Sequence, residues 1–161
     1  PASEWLARAD ATSLARILHD NADEPMAELL ASGLAGKTYA TTRALASAVR
    51  MALGGYAEGE AADLSVRRVF QAIRIEINDE FGALDAFLRA LPGCLKAGGR
   101  AVVLTFHSGE DRRVKKAFQA GMRAGVYAEV SDGVVTAGSD ERRLNPRSIP
   151  AKLRWVVAGG A

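Results

Sequence analysis

An α/β fold is the class this sequence predicts, on three observations. Apolar residues recur at three- and four-residue spacing through the first half of the chain, the period of amphipathic helices. At residues 101–106 the period changes to a short continuous run rich in β-branched residues, AVVLTF. Two more strand-like stretches, 127–135 and 153–157, follow beyond a helical segment. Helix, strand, helix, strand and strand describe a partial α/β sheet, too small for a complete doubly wound fold.

The elements follow from local chemistry. Asp10 or Thr12 can cap a helix with Leu14, Ile17 and Leu18 on its apolar face. Pro25 stands where a first helical turn tolerates proline, and Met26, Leu29, Leu30 and Leu34 follow at helical spacing up to Gly36. Thr41 or Thr42 can cap a third helix carrying Leu45, Val49, Met51 and Leu53, which Gly54 and Gly55 stop. Residues 54–65 are rich in Gly and acidic side chains with few large apolar ones, so they read as a mobile connection. The boundary set there divides the chain into residues 1–65 and 66–161.

Past that boundary Val66, Val69 or Phe70, Ile73, Ile77, Phe81, Leu84, Leu88 and Leu91 predict one long helix, bent at Gly82 and ending before Pro92. The run 101–106 then suits a buried strand of a parallel sheet with both faces covered. Ser108 is a good N-cap with Asp111 three positions later, which predicts a helix from about Gly109 towards Met122. The segment SDERRLNPRSIPAK reads as a loop before the last strand.

Composition narrows the function class. With 161 residues, 48% hydrophobic and 25% charged, the chain can bury a true core without staples, which excludes a disordered or collagenous protein. The single Cys94 cannot form an internal disulfide, no apolar run approaches the roughly 20 residues of a membrane span, and the first residues carry no signal-peptide core. A reduced, cytoplasmic protein with no membrane partner is the expectation. No zinc-ligand spacing, Walker loop or Gly-x-Gly-x-x-Gly occurs, so no metal site is expected.

The net charge of +2 hides a gradient. Residues 1–95 carry 9 basic and 13 acidic side chains, a net of −4, whereas residues 96–161 carry 12 and 6, a net of +6. Such a split suits a polyanion facing the second half, and it equally describes a surface that is merely solvated. Arg112, Arg113, Lys115 and Lys116 form a basic face on the helix after the first strand. Arg142, Arg143, Asn145 and Arg147, then Lys152 and Arg154, form a second cluster on a loop and the strand after it, where a scaffold commonly presents binding residues.

The segment from Thr105 through Arg112, TFHSGEDR, sets polar groups where a strand end meets a helix N-terminus, the place where ligands bind open α/β sheets. His107 and Ser108 are the candidate catalytic residues there. In the structural alternative Ser108 and Asp111 only cap the helix and His107 satisfies a backbone carbonyl. A serine hydrolase is disfavoured, because the nucleophile elbow needs Gly two positions before the serine and Phe106 stands there.

Three segments together resemble one family. VFQAIRIEINDEF at 69–81, LKAGGRAVVLTFHSGEDRRVKKAF at 95–118 and NPRSIPAKLR at 145–154 are similar to FQALRIxVNxEL, LxPGGRxxVISFHSLEDRxVK and NPRxRSAKLR of the MraW/RsmH family. The opening Ser3-Glu4-Trp5-Leu6 resembles the start of that family's helical insertion. The resemblance is strong from Val69 onward and weak from Asp20 to Lys37. Ala97 stands for the usual Pro, Gly109 for Leu, and Ile149-Pro150 costs a basic residue.

The resemblance implies S-adenosyl-L-methionine-dependent methylation of N4 of a cytidine in 16S ribosomal RNA. It implies a helical insertion domain followed by the C-terminal part of a Rossmann-like class I methyltransferase sheet. His107 and Ser108 would border the active site, and Arg112, Arg113, Lys115, Lys116, Arg142, Arg143 and Arg147 together with Asn145 would contact RNA of the small ribosomal subunit. Gln71, Arg74 and Asn78 would form a polar face for RNA or for docking. In the family the donor-binding loop precedes the insertion, so the cofactor residues are not assignable in these 161 residues. The chain is expected to be a piece of a longer polypeptide or a shortened relative, a non-catalytic RNA-binding or ribosome-assembly module. An incomplete sheet would associate with the rest of such a polypeptide or form a homodimer.

Overall fold

The computed structural model describes residues Pro1–Gly160. They form two compact units, residues 1–80 and 81–160.

The first unit is wholly helical: α1 (Ala2–Arg8), α2 (Ala11–Ala22), α3 (Ala27–Leu34), α4 (Thr42–Leu53) and α5 (Gly59–Asn78). Asp10 starts α2 by accepting the Ser13 amide at 2.8 Å, and Thr41 starts α4 by accepting the Ala44 amide at 3.1 Å. Leu6, Leu14, Leu18, Leu30, Leu34, Val49, Leu53 and Val69 are fully buried in one core. Burying each such side chain contributes about 1.5–3 kcal/mol. α3 and α4 pack closely at Gly33, where a Cβ would come 2.7 Å from the Ala52 Cβ. Met51, an expected apolar position, instead faces solvent.

Two buried polar side chains of this unit find partners on α5. Glu24 accepts the Ser65 hydroxyl at 3.1 Å and the Met26 amide at 3.0 Å, with Arg68 3.9 Å away. Asn21 donates to the Ala72 carbonyl at 3.3 Å. Ser65 and Ala62 are buried, which is why the expected mobile connection over 54–65 is ordered. Gly54–Tyr56 makes one 3-10 turn and α5 begins at Gly59, its small residues packing where no large apolar side chain is needed. The expected division after residue 65 therefore falls inside a continuous helix.

The expected single long helix is two. Asp79 adopts the left-handed conformation, φ 49°, and ends α5; α6 (Glu80–Cys94) follows and continues through Pro92. The break lies three residues before Gly82, because a short polar side chain tolerates the left-handed region without glycine.

The second unit comprises α6, β1 (Arg100–Thr105), α7 (Ser108–Arg123), β2 (Tyr127–Val130), β3 (Val135–Thr136), α8 (Ser139–Leu144) and β4 (Lys152–Ala158). β4 lies centrally in the order β1-β4-β2, β3 also pairs with β4, and every described pairing is antiparallel. The expected parallel strand with two covered faces is therefore corrected. β1 runs antiparallel to β4, with Leu104 opposite Leu153 and Val103 opposite Arg154. Leu88 and Leu91 of α6, Val114 and Phe118 of α7, Tyr127 and Val156 form the core over one sheet face. On the other face Val102 is 61% exposed and Leu104 52%. A β-branched run signals a strand but carries no information on its partner or its second face. The stretch 127–135 likewise divides into β2 and β3, and the loop before β4 contains α8 and a 3-10 turn at Pro146–Ser148.

Among the described residues no helix is long and apolar enough to cross a membrane.

Candidate functional site at the end of the first strand

Thr105 closes β1 and donates its hydroxyl to the Lys152 carbonyl at 3.2 Å, so the TFHSGEDR turn and the start of β4 lie at one end of the sheet. His107, one residue earlier than expected, is the N-cap of α7. Its Nδ1 accepts the Glu110 amide at 3.4 Å, and its Nε2 lies 3.5 Å from Glu110 Oε1. Glu110 Oε2 accepts the Phe106 amide at 2.9 Å. The pair resembles a capping box, with an imidazole in place of the capping hydroxyl and the glutamate reaching the amide just before the cap. Ser108 opens the helix.

Asp111 does not cap. It makes a two-point ion pair with Arg154 of β4, at 2.7 and 3.0 Å, with only 14% and 10% of the two side chains exposed. The Arg154 hydrogen bond holds the Asp111 carboxyl below the usual carboxylate range, against the opposing effect of burial. The pair ties the start of α7 to the central strand, joining two sequence motifs that lie 43 residues apart.

His107 is packed from α6. Its ring lies 5.9 Å from that of Phe81, tilted by 48°. The Arg113 guanidinium stacks 4.1 Å from the other ring's centre, that of Phe81, and pairs with Asp85 at 2.7 Å. A Cβ on Gly109 would meet the Phe81 ring at 2.6 Å. The Phe81 ring therefore occupies the space that a side chain at position 109 would need.

The basic residues differ in their contacts and in their exposure. Arg113 belongs to the packing around Phe81. Arg142 donates to the Ala137 carbonyl at 2.7 Å and to the Thr136 hydroxyl at 3.3 Å, bracing α8 against β3. Arg143 meets Asp140 at 3.4 Å, a pair that is open to solvent. Arg112, Lys115 and Lys116 are exposed on α7. Asn145 and Arg147 are exposed and line a groove on the open sheet face. On the first unit, Gln71 donates to the Asn21 carbonyl, while Arg74 and Asn78 both bind Glu80.

Sequence reasoning missed Glu110, Phe81, Asp85 and Arg154 as members of this cluster. The signal for Glu110 was its place three residues after His107, the capping-box distance. The other three are brought in by tertiary packing alone.

The second unit offers two cavities to compare with a site for S-adenosylmethionine. One cavity in the second unit lies on the open sheet face around Leu104 and Phe106; another lies around Arg100, Glu129 and Trp155. Neither is lined by His107 or Ser108, and no glycine-rich phosphate-type loop occurs in the sequence.

Comparison with known proteins agrees with the motifs. The chain is 39% identical over 164 aligned positions to "Ribosomal RNA small subunit methyltransferase H 1" of Lachnoclostridium phytofermentans, covering 97% of this chain and 45% of that protein. It is 40% identical over 164 positions to the protein of the same name from Agathobacter rectalis, covering 97% and 47%. It is 39% identical over 170 positions to "Ribosomal RNA small subunit methyltransferase H" of Myxococcus xanthus, covering 96% and 56%. The chain thus spans about half the length of the curated relatives it matches. The model of the MraW methylase family matches residues 1–158, and with these relatives it establishes that the chain belongs to that family.

Proposed function

We propose that this chain forms part of an S-adenosyl-L-methionine-dependent methyltransferase acting on N4 of a cytidine in 16S ribosomal RNA, in the cytoplasm. The observation that supports this best is the FHSGEDR turn, held at the strand end of a family member by Glu110, Phe81 and the Asp111–Arg154 pair. An exocyclic amine must be held in line and must lose a proton, and fixed orientation supplies much of such a rate. His107 and Ser108 are the groups that would border that amine. β1, whose described pairing is with β4 alone, leaves an edge for a further polypeptide segment or a second copy.

Mass spectrometry of 16S ribosomal RNA nucleosides from cells lacking this coding region is expected to show loss of N4-methylcytidine. Its full retention contradicts the reading. A second reading, a non-catalytic RNA-binding or ribosome-assembly module, is supported by the net charge of +6 over residues 96–161. Retained N4-methylcytidine together with RNA binding by the chain would select it. Calorimetry of the chain with S-adenosylmethionine is expected to show no heat; micromolar binding contradicts the placement of the donor site outside these residues.

A further inference from the structure

A groove of about 410 Å³ lies on the open sheet face of the second unit, beside the site. Its floor is Leu104, Leu153 and Val135, which the register sets side by side across β1, β4 and β3. Phe106, 51% exposed, lines the groove, and Glu141, Asn145 and Arg147 supply its polar lining. We infer that this groove is a clasp for one unstacked nucleobase of single-stranded RNA, preferring a base with an exocyclic amine. This inference rests on the RNA reading above.

The chemistry of the lining favours a base over an apolar peptide. An exposed aromatic ring at a strand end is a stacking platform, the feature by which proteins hold unpaired bases. Glu141, accepting only, suits an amine edge, while the Arg147 guanidinium suits the adjoining phosphate. Asn145 can donate to or accept from a base edge. The surrounding half of the chain carries the +6 excess that a polyanion needs.

The clasp is also fixed before any ligand arrives. Glu110 holds the Phe106 amide at 2.9 Å. The buried Ser148 donates both its hydroxyl, at 2.8 Å, and its amide, at 2.9 Å, to the Asn145 carbonyl, so the turn bearing Asn145 and Arg147 is braced. Arg142 secures α8, which carries Glu141, to the backbone before it. Sites held this way lose little entropy on binding.

Fluorescence anisotropy of the 161-residue chain with labelled hexa-adenylate and hexa-uridylate RNA tests the assignment. Hexa-adenylate is expected to bind more tightly. Phe106→Ala is expected to weaken both RNAs about tenfold, Phe106→Tyr to preserve binding, and Glu141→Ala to narrow the gap between the two RNAs. Suppose Phe106→Ala and Arg147→Ala bind both RNAs as the parent does, while Lys115→Ala/Lys116→Ala still weakens both. The clasp is then refuted and the RNA reading stands. Absence of salt-sensitive binding to either RNA would overturn the RNA reading itself, and the clasp with it. A dimer by sedimentation that Phe106→Ala dissolves, with RNA binding unchanged, would make the groove a protein interface and also overturn the clasp.

Discussion

The two units spend their apolar residues differently. In Pro1–Glu80 the large aliphatic side chains close on one another, and buried polar groups such as Glu24 and Asn21 find partners on other helices. In residues 81–160 one sheet face is packed and the other leaves Val102, Leu104 and Phe106 open, beside a basic surface. Net charge follows the same division, −4 over residues 1–80 and +6 over residues 81–161. The acidic helical unit buries the larger core, whereas the basic sheet unit leaves one apolar sheet face for partners.

Substitutions can break this contrast, and a large effect is expected in the closed core. Leu18→Ala should destabilise the first unit by about 2–5 kcal/mol, as buried leucine truncations do, measured by amide exchange within residues 1–80. By contrast Val102→Thr on the open face should change exchange in the second unit by less than about 0.5 kcal/mol. An equal loss at both positions would erase the distinction between the units.

Within the second unit, Asp111→Asn should cost about 3–5 kcal/mol, because it leaves Arg154 largely buried without its counter-charge. The same pair sets an acid limit. A carboxyl whose folded pKa is depressed contributes stability above its unfolded pKa, near 4 for an aspartate, and loses it as pH falls through the folded value. Exchange protection of α7 and β4 should therefore weaken below about pH 4, and Asp111→Asn should flatten that dependence.

A smaller effect tests the packing of His107. Gly109→Leu should cost about 1–3 kcal/mol by overpacking against Phe81, and the double variant Gly109→Leu/Phe81→Leu should recover most of it. The His107 ring proton shifts should move in the single variant, since the ring it lies against is displaced. Strict additivity of the two substitutions would mean that Phe81 and Gly109 are not a matched pair.

What was legible in the sequence was local. The Asp10 and Thr41 caps could be read because a capping side chain serves amides within three residues of itself. The helix break at Asp79 was hidden behind the more conspicuous Gly82, since an aspartate in the left-handed region leaves no pattern of its own. The strand 101–106 was visible as a strand, but its antiparallel partner lies some fifty residues away, and sequence period carries no pairing information. The site was seen as a turn with His107 and Ser108. The Asp111–Arg154 pair and the Phe81 ring stayed hidden because folding alone brings them there. Charge counting placed Arg113 with the lysines, whereas its guanidinium is committed to Asp85 and Phe81.

That last separation gives the most direct test of the central claim, that the second unit presents an RNA-binding surface. The measurement is the salt dependence of RNA affinity for the chain and for Lys115→Ala/Lys116→Ala. If both lysines contact phosphates of single-stranded RNA, the slope of log affinity against log salt should become shallower by about 1.4, with overall stability unchanged. An unchanged slope and affinity would show that the basic face is only solvated and would contradict the account.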